Sequence, residues 1–538
     1  MPHHLSKEGF PLTKRLAALA LAGALCLCLL TGCKKDAVNF IYYTSDAIAT
    51  LDPQLASTPA ELTAVKNMFA GLYRLDGEGR AVPDRARGVE ISADGLVYTF
   101  TLDPEDVFTD GGEITVPVTA KDYVFALRRL LDPATGAPSA RSFLSLRGAA
   151  EVLAGAARPE SLGVRAVSDT VLEIALAAPD DGLPAKLATA GAMPCNEEFF
   201  DSTAGAYGLS VKAILGNGAF QPTGWSQANG LTLRRLRGDE SDLVNRIRLV
   251  PDDGGSTAAA RLADGLQDGA LAAADQETQL AGYPSQTFET TVWTLVFNCA
   301  DEALSNLSIR QALASVAQLS GEDLAGLGHL RAADGLVPGS ARLTGGGGYR
   351  DAVGGALPSL AEAQSYSLYR LGLSELGVER LSGLQVLIPE TEPWGELYPI
   401  INQRWQRSLS AFFSVQALPE SELLARVRKG EFDIALLPLT MTSSGPETLL
   451  TGFLSDEAAN PARYQSAAFD GFARQGLAAT TSQAQAAAWG AAERQLLSDA
   501  AVAPLAFQSS GFYLAPDLQG VVVSPFGPVI DLTGASRK

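Results

Sequence analysis

Apolar residues recur along this chain with two spacings, one typical of strands and one typical of helices. From Leu96 to Leu102 the large apolar side chains fall at every second position, which predicts a half-buried strand. From Glu61 to Tyr73 they fall at i, i+3, i+4 and i+7, which predicts an amphipathic helix. The chain therefore mixes helices and strands from its first hundred residues onward.

The second half of the chain alternates the two patterns regularly. Short apolar runs that predict strands are separated by longer segments with helical periodicity, and this alternation indicates a sheet covered by helices. The predicted strands are Thr291–Phe297, Leu384–Ile388, Phe413–Leu418, Ile434–Leu437 and Pro504–Phe507, and the predicted helices are Ser308–Val316, Ala361–Leu376, Tyr398–Leu409, Ser421–Arg428 and Ser482–Leu497.

Two local signals fix the ends of particular elements. Thr119 and Asp122 have the spacing of a capping box, in which a hydroxyl and an acid three residues later satisfy the first N–H groups of a helix. Asn229-Gly230 is the strongest hairpin signal in the chain, and it is expected to join two strands on either side.

The first 33 residues have the pattern of an export signal. Lys14 and Arg15 precede the apolar run Leu16–Leu30, and Leu30-Thr31-Gly32-Cys33 resembles a bacterial lipoprotein cleavage site. The alternative is a short membrane anchor, but 15 apolar residues are fewer than the roughly 20 that a spanning helix needs. We therefore expect residues 1–32 to be a signal peptide, Cys33 to carry a lipid, and the mature protein to be extracytoplasmic and membrane-tethered.

Composition sets the class of protein. A chain of 538 residues with 46% hydrophobic and 19% charged residues is globular and long enough for two or three lobes. Its net charge of −19 argues against nucleic acid as a partner, because binding phosphates requires a basic surface.

The residue types needed for common catalytic and metal sites are scarce. His329 is the one histidine beyond the signal, and the sequence contains no HExxH, G-x-S-x-G or Walker A motif. Cys195 and Cys299 remain after removal of the signal and lipidation of Cys33, and either a disulfide or two free thiols would fit the sequence. We expect no metal, no cofactor and no enzymatic activity, although counting acids does not exclude a hydrolase that uses two carboxylates.

A series of short motifs then appears in the order of a known family. Its pieces are weak singly, but together they resemble the oligopeptide- and dipeptide-binding branch of the extracellular solute-binding proteins, family 5. The motifs are Leu51-Asp52-Pro53, Asn67-Met68-Phe69-Ala70-Gly71-Leu72-Tyr73, Val82-Pro83-Asp84, Asp94-Gly95, Phe108-Thr109-Asp110-Gly111, Thr119-Ala120-Lys121-Asp122, Leu130-Leu131-Asp132-Pro133, Gly216-Asn217-Gly218, Ile309-Arg310-Gln311-Ala312-Leu313, Gly430-Glu431-Phe432-Asp433, Asn460-Pro461 and Ala503-Pro504-Leu505.

The resemblance implies an α/β, two-lobed fold of the periplasmic-binding-protein type (class II) that has an extra subdomain and encloses its ligand between the lobes. Lobe I would comprise residues 33–75, 190–298 and 505–538, the subdomain residues 76–189, and lobe II residues 299–504. The implied function is to deliver a peptide or peptide-like ligand to the permease and ATPase of an ABC importer, as a monomer. The alternative is a peptide-sensing or chaperone lipoprotein of the same fold that feeds no transporter.

The chain departs from the family where peptides are held. Peptide-binding members carry W-x-A-D-Y after the G-x-F-D strand, and the aspartate pairs with the α-amino group of the peptide. Here Leu439 replaces the tryptophan and Thr442 the aspartate, and Ser57-Thr58-Pro59 stands where some members carry an acid. A hydroxyl does not supply the charge-assisted bond of a carboxylate, so we expect a ligand that lacks a free α-amino group or places it elsewhere.

The candidate ligand-binding residues combine this comparison with ordinary side-chain chemistry. Trp293 is expected either to stack on the ligand or to pack in the core, and Asn298 either to line the cleft or to tie the hinge strands together. The full set is Ser57, Thr58, Trp293, Asn298, Thr440, Thr442 and Gln508.

Overall fold

The computed structural model describes residues 39–77, 79–112, 114–236, 242–272, 279–524, 526 and 529–538. The expected signal peptide, 1–32, and the expected lipidation site, Cys33, lie outside the described residues. Among the described residues, no helix combines the length and the apolar composition that crossing a bilayer demands.

The helices of the described residues, numbered in chain order, are α1 Pro59–Met68, α2 Ala120–Leu131, α3 Ala149–Leu153, α4 Leu183–Lys186, α5 Glu197–Ser202, α6 Ala258–Ala263, α7 Leu307–Ala317, α8 Tyr349–Val353, α9 Glu362–Leu376, α10 Trp394–Leu409, α11 Glu420–Lys429, α12 Glu447–Leu450, α13 Ala467–Ala478 and α14 Ser482–Ser498.

The strands are β1 Asn39–Thr44, β2 Tyr73–Leu75, β3 Ala81–Pro83, β4 Ala86–Ile91, β5 Val97–Leu102, β6 Val107–Thr109, β7 Thr115–Pro117, β8 Val164–Ser168, β9 Val171–Ala175, β10 Phe220–Ser226, β11 Gly230–Arg235, β12 Arg246–Pro251, β13 Gly269–Ala272, β14 Ser285–Phe297, β15 Leu330–Ala332, β16 Gln385–Pro389, β17 Ser414–Leu418, β18 Ile434–Thr440, β19 Val502–Leu514, β20 Leu518–Gln519, β21 Val522–Val523, β22 Ile530–Asp531 and β23 Ser536–Arg537.

The first lobe is built on a four-stranded sheet with the order β1-β12-β11-β10. The expected hairpin joins β10 to β11, and Gly230 there has φ +69°, a conformation that side chains disfavour. The core of this lobe draws on distant parts of the chain, since Phe40, Val65, Phe220 and Leu532 pack together in it.

The Gly216-Asn217-Gly218 turn locks the end of α1 in place. Any side chain at Gly216 or Gly218 would collide with the backbone of Met68, at 2.2 and 2.5 Å. Asn217 accepts a hydrogen bond from the N–H of Ala70 and donates one to its carbonyl. This pairing draws the chain out of the helix, so α1 ends at Met68 and the predicted helix end at Tyr73 is wrong.

A second four-stranded sheet, β4-β5-β9-β8, forms a separate subdomain with α2 packed beside it. The expected capping box starts α2: the Asp122 carboxylate accepts from the Thr119 N–H at 2.6 Å. The apolar face of α2, which includes Tyr123, Leu127 and Leu130, is buried against this sheet.

The second lobe contains a seven-stranded sheet with the order β13-β19-β14-β18-β16-β17, and β15 pairs with β19. Helices cover both faces, as the alternating pattern predicts, and each face has its own apolar core. The strands of this sheet that were predicted from apolar runs are all present.

Two strands of this sheet, β14 and β19, are longer than predicted and continue into the first lobe. Each spans 13 residues, and they pair antiparallel to each other from one lobe to the other. The far end of β19 pairs with β13, and Phe512 of β19 lies in the first-lobe core. Both strands therefore act as the physical link between the lobes.

The lobe boundaries drawn from the family resemblance stay a prediction, but the cores assign a few residues differently. Val292, Leu295 and Phe297 lie in the second-lobe cores although the boundary at 298 assigned them to the first lobe. The register of β14 with β19 shifts between Glu289 and Thr291, which is the point where the two environments meet.

Cys195 and Cys299 are both free thiols. Cys195 is buried in the first-lobe core, and burial raises its pKa to about 12. Cys299 packs against the second-lobe core instead, so the two thiols belong to different lobes and the open question of a disulfide is answered by two unpaired cysteines.

Glu61 organises the loop that precedes α1. Its carboxylate accepts four backbone N–H groups, from Ala49 and Thr50 on one oxygen and from Ser57 and Thr58 on the other. Burial alone would raise the pKa of Glu61, but these four bonds outweigh it and hold the pKa below the ordinary value.

We expect Glu61→Gln to lower the free energy of unfolding by about 2–4 kcal/mol at pH 7, because an amide would turn its NH2 group toward two N–H donors. A carboxyl whose folded pKa is depressed contributes stability above its unfolded pKa and loses it as pH falls through the folded pKa. The difference in free energy of unfolding between the variant and wild type, measured by urea denaturation, should therefore be largest at pH 7. It should shrink as the pH falls below 4.5, the ordinary pKa of a glutamate. Glu90→Gln, an exposed change, is the control, and a difference independent of pH would contradict this role.

Candidate functional site

Polar side chains line up across the three central strands of the seven-stranded sheet, close to the point where β14 and β19 leave the second lobe. Thr291 of β14 lies opposite Thr440 of β18 on one side and opposite Gln508 of β19 on the other. The Thr291 and Thr440 hydroxyl oxygens are 2.9 Å apart and share a hydrogen bond. We call Thr440, Thr291 and Gln508 the polar row.

Trp293 supports the polar row from within the core. Its indole Nε1 donates to the Gln508 side-chain oxygen at 2.6 Å, and its ring lies 4.9 Å from that of Trp394. Trp293 is only 7% exposed, so core packing rather than stacking on a ligand describes its ring. Its function in the row is to fix the orientation of Gln508.

This orientation leaves specific groups for a ligand. Because the Gln508 oxygen is occupied by Trp293, its NH2 group is directed away, and none of the described residues accepts a hydrogen bond from it. Thr440 is exposed, and each threonine hydroxyl can both donate and accept. The row is uncharged and suits the carbonyl, amide or hydroxyl groups of a ligand.

An ion pair borders the polar row but is already satisfied. Arg331 of β15 donates two hydrogen bonds of 3.0 Å to the two oxygens of Glu289. These bonds to Glu289 raise the pKa of Arg331, so its charge is retained at any working pH. Glu289 also accepts from the Gly339 N–H at 2.8 Å. The two charges neutralise each other, and the pair serves to hold the strand junction.

A buried carboxylate positions the loop that reaches this ion pair. Glu493 of α14 is fully buried and accepts from the N–H groups of Leu336 and Val337, from the Tyr349 hydroxyl and from Arg350. The loop held in this way continues directly into Gly339, and the sheet edge beside the polar row is therefore rigid.

Thr442, the residue expected in place of the family aspartate, lies two positions beyond the end of β18. The Met441 N–H just before it donates to the Thr290 carbonyl at 2.9 Å, which keeps this segment beside β14. Thr442 is exposed. The next acid along the chain is Glu447, a half-buried side chain that folds against Gly445, and burial raises its pKa.

The remaining candidates lie elsewhere. Asn298 is at the other end of β14, where its amide donates to the Phe432 carbonyl at 2.8 Å and accepts from the Ala300 N–H at 3.1 Å; these contacts favour the structural reading. Thr58 caps α1 by accepting from the Glu61 N–H at 3.3 Å, and Ser57 is exposed in the same first-lobe loop. The structure thus brings Trp293, Thr440 and Gln508 together, with Thr442 two residues beyond Thr440. Asn298 lies at the other end of β14, and Ser57 and Thr58 belong to the first-lobe loop before α1.

Thr291 is the member of the row that sequence reasoning missed. It precedes Trp293 by two residues on a predicted strand, so the period-two rule places both on one face. No three His, Cys, Asp or Glu side chains of the described residues are grouped closely enough to hold a metal ion.

Comparison with known proteins agrees with this architecture. The family model for bacterial extracellular solute-binding proteins, family 5 (middle region), matches residues 80–317. The dipeptide-binding protein of Lactococcus lactis subsp. cremoris is 24% identical over 519 residues, which cover 91% of this chain and 93% of the relative.

Solved structures match over the same length. The unliganded open form of the periplasmic murein tripeptide-binding protein MppA superposes with a TM-score of 0.67 at 22% identity, covering 93% of this chain and 98% of MppA. Peptide-bound OppA of Listeria monocytogenes gives 0.62 at 23% identity, covering 94% and 100%. These likenesses show the two-lobed fold. The family model over residues 80–317 and relatives that span nine tenths of the sequence make the chain similar to the bacterial extracellular solute-binding proteins of family 5.

Proposed function

We propose that this protein binds a peptide or peptide-like solute between its two lobes and delivers it to an ABC importer, without catalysing a reaction. The observation that carries the proposal is the polar row, which lies on the sheet face at the strands that join the lobes. The names of relatives, a dipeptide-binding protein and a murein tripeptide-binding protein among them, support a peptide as the ligand.

The chemistry of the row favours the neutral parts of such a ligand. A peptide bond offers one carbonyl acceptor and one N–H donor, and the row offers the Gln508 NH2 group and the exposed hydroxyl of Thr440. Closure of the lobes would bury these groups with the ligand, and each matched hydrogen bond in a water-excluded cleft adds affinity.

The end of the ligand is expected to differ from that of a free peptide. Thr442 provides no charge. Two acids near it along β14 and along the chain are already engaged, since Glu289 is paired with Arg331 and Glu447 is folded back on Gly445. We therefore propose a ligand with a blocked or absent α-amino group, such as an acylated peptide.

The site of action follows from the N-terminal pattern. Cleavage before Cys33 and its lipidation would tether the protein to the outer face of a membrane, where a permease with its ATPase can accept the solute. The short segment between Cys33 and β1 would keep the lobes within reach of that permease.

Gln508→Glu tests the polar row with little structural change. The new carboxylate keeps an acceptor for Trp293, but it lacks the two N–H donors of the Gln508 amide. The affinity for N-acetyl-trialanine, measured by titration calorimetry, should therefore fall about 10–100-fold. Gln416→Glu makes the same change on the edge strand β17 and should leave affinity unaltered. Equal affinities of the Gln508 variant and wild type would show that the polar row is not part of the ligand-binding site.

Thr442→Asp tests the proposed ligand end. The added carboxylate should strengthen binding of unblocked trialanine at least about tenfold while leaving N-acetyl-trialanine unimproved, because only the first carries an ammonium. Thr223→Asp places the same charge on an exposed hairpin position of the first lobe as a control. If wild type already binds unblocked trialanine tightly and Glu447→Gln abolishes that binding, Glu447 rather than a blocked ligand explains the missing aspartate.

Cys33→Ser tests the membrane tether. In cells of a bacterium that processes lipoproteins, wild type should partition into the membrane fraction and the variant should not, since a serine cannot accept the thioether-linked lipid. Equal membrane partitioning of the two would show that the apolar run Leu16–Leu30 itself is the anchor.

A further inference from the structure

A second contact joins the lobes, apart from the two crossing strands. The loop between β9 and α4 in the subdomain reaches the start of α14 in the second lobe. There the Asp181 carboxylate accepts from the Ser482 N–H at 3.1 Å, and the Asp181 N–H donates to the Thr480 carbonyl at 3.1 Å. Asp181 thus makes a reciprocal pair of hydrogen bonds to the second lobe.

The position of Asp181 complements the helix that it touches. Thr481 is the N-cap of α14 and satisfies the Ala484 N–H, but the Ser482 N–H at the first helical position has no partner within the helix. Asp181 supplies that partner from the other lobe, and its negative charge faces the positive end of the helix dipole.

Both sides of this contact are rigid. On the subdomain side, buried Asp180 accepts from the Gly182 N–H at 2.9 Å and pairs with Lys186 at 2.6 Å. On the second-lobe side, the Thr344 N–H donates to Gln485 of α14 at 2.8 Å, and the Ser482 hydroxyl donates to the Thr344 carbonyl. A side chain at Gly182 would be 2.0 Å from the Thr344 hydroxyl, so the two surfaces meet without space between them.

A contact of this kind can be satisfied at one lobe arrangement only. The Asp181 contact involves neither β14 nor β19, so rotation about these strands moves its two sides relative to each other. A shift of about 1 Å would lengthen both 3.1 Å bonds beyond hydrogen-bonding distance. In the arrangement that satisfies them, Thr440 of the polar row and Thr442 are exposed, and the ligand site is therefore open to solvent.

We propose that Asp181 is a positioning residue that holds the lobes open in the absence of ligand and must release Ser482 before the lobes close. The free protein then rests mainly in the open state that the contact stabilises. The apparent affinity for solute equals the affinity of the molecules that are able to close, multiplied by the fraction of such molecules. Ligand affinity is tuned in this way by a side chain that need not touch the ligand.

Three variants separate this role from a general structural one. Asp181→Ala removes the acceptor, and Asp181→Asn keeps a neutral acceptor for the Ser482 N–H. Asp169→Ala removes an exposed carboxylate of the same subdomain whose partner, Lys121, is also exposed. Asp181 is itself exposed, so none of the three changes should prevent folding.

The first readout needs no ligand and does not depend on the proposed function. Hydrogen exchange of the 480–486 segment in the purified protein should accelerate in Asp181→Ala, and small-angle scattering should show a wider range of lobe separations. Asp181→Asn should lie close to wild type, and Asp169→Ala should match it. Exchange and scattering in Asp181→Ala identical to wild type would overturn the proposal.

The second readout rests on the proposed function. With whichever of trialanine and N-acetyl-trialanine binds wild type, Asp181→Ala should bind about three- to tenfold more tightly, the effect expected for loss of the one side-chain hydrogen bond to the Ser482 N–H from the open state alone. Weaker or unchanged binding, together with altered scattering, would show that the contact is not specific to the open state. Binding of neither probe to wild type would count against the proposed function but would leave the result of the first readout standing.

Discussion

The pairing of β14 with β19 is the constraint on which the rest of the molecule depends. These two antiparallel strands, each 13 residues long, lie in the middle of the seven-stranded sheet, and the end of β19 that enters the first lobe pairs with β13. Backbone hydrogen bonds pair them over most of their length, so the lobes cannot separate. The register shifts after Glu289 and again after Trp293, which gives the pair points where it can bend. The polar row follows directly beyond the first of these points, and a ligand held there would contact the element that moves.

Several acidic side chains form hydrogen bonds and ion pairs inside the protein, whereas the proposed binding surface is uncharged. Glu61, Glu493 and Asp180 are engaged by backbone N–H groups or cations within their own lobe, and Glu289 is engaged by Arg331 at the junction of the strands. Such carboxylates hold loops in place, because the two oxygens of a carboxylate can accept about four hydrogen bonds and can therefore join several segments of the chain. The net charge of −19 therefore describes the scaffold and the outer surface, and gives no guide to the ligand.

The sequence predicted most of the regular elements, and its failures have identifiable causes. Strands with continuous apolar runs, such as β16 and β18, were found because burial on both faces leaves no ambiguity. The first five residues of β14, Ser285–Glu289, were missed because this polar segment is partly exposed on both faces. In β19 the half-buried polar stretch Gln508–Ser510 ended the predicted strand, although the apolar Gly511–Leu514 beyond it continues the pairing. The end of α1 was missed because Phe69 and Leu72 continue the helical spacing after the backbone has turned to meet Asn217.

The site was predictable only in part for a similar reason. Trp293, Thr440 and Gln508 were chosen singly, from motif positions, and they come together because β14, β18 and β19 are neighbours. Thr291 could have been added from its period-two relation to Trp293. The Asp181 contact could not, since it joins residues 301 positions apart through loops whose local sequence carries no pairing signal.

Hydrogen exchange of the purified protein, with and without a pool of N-acetylated and unblocked tripeptides, shows directly whether a solute binds at the polar row. We expect the ligand to slow exchange in both crossing strands at residues 289–293 and 506–510 and in the segment 439–442, because closure buries the polar row with the solute. Protection confined to another surface, with these three segments unchanged, would contradict a binding site at the strands that join the lobes.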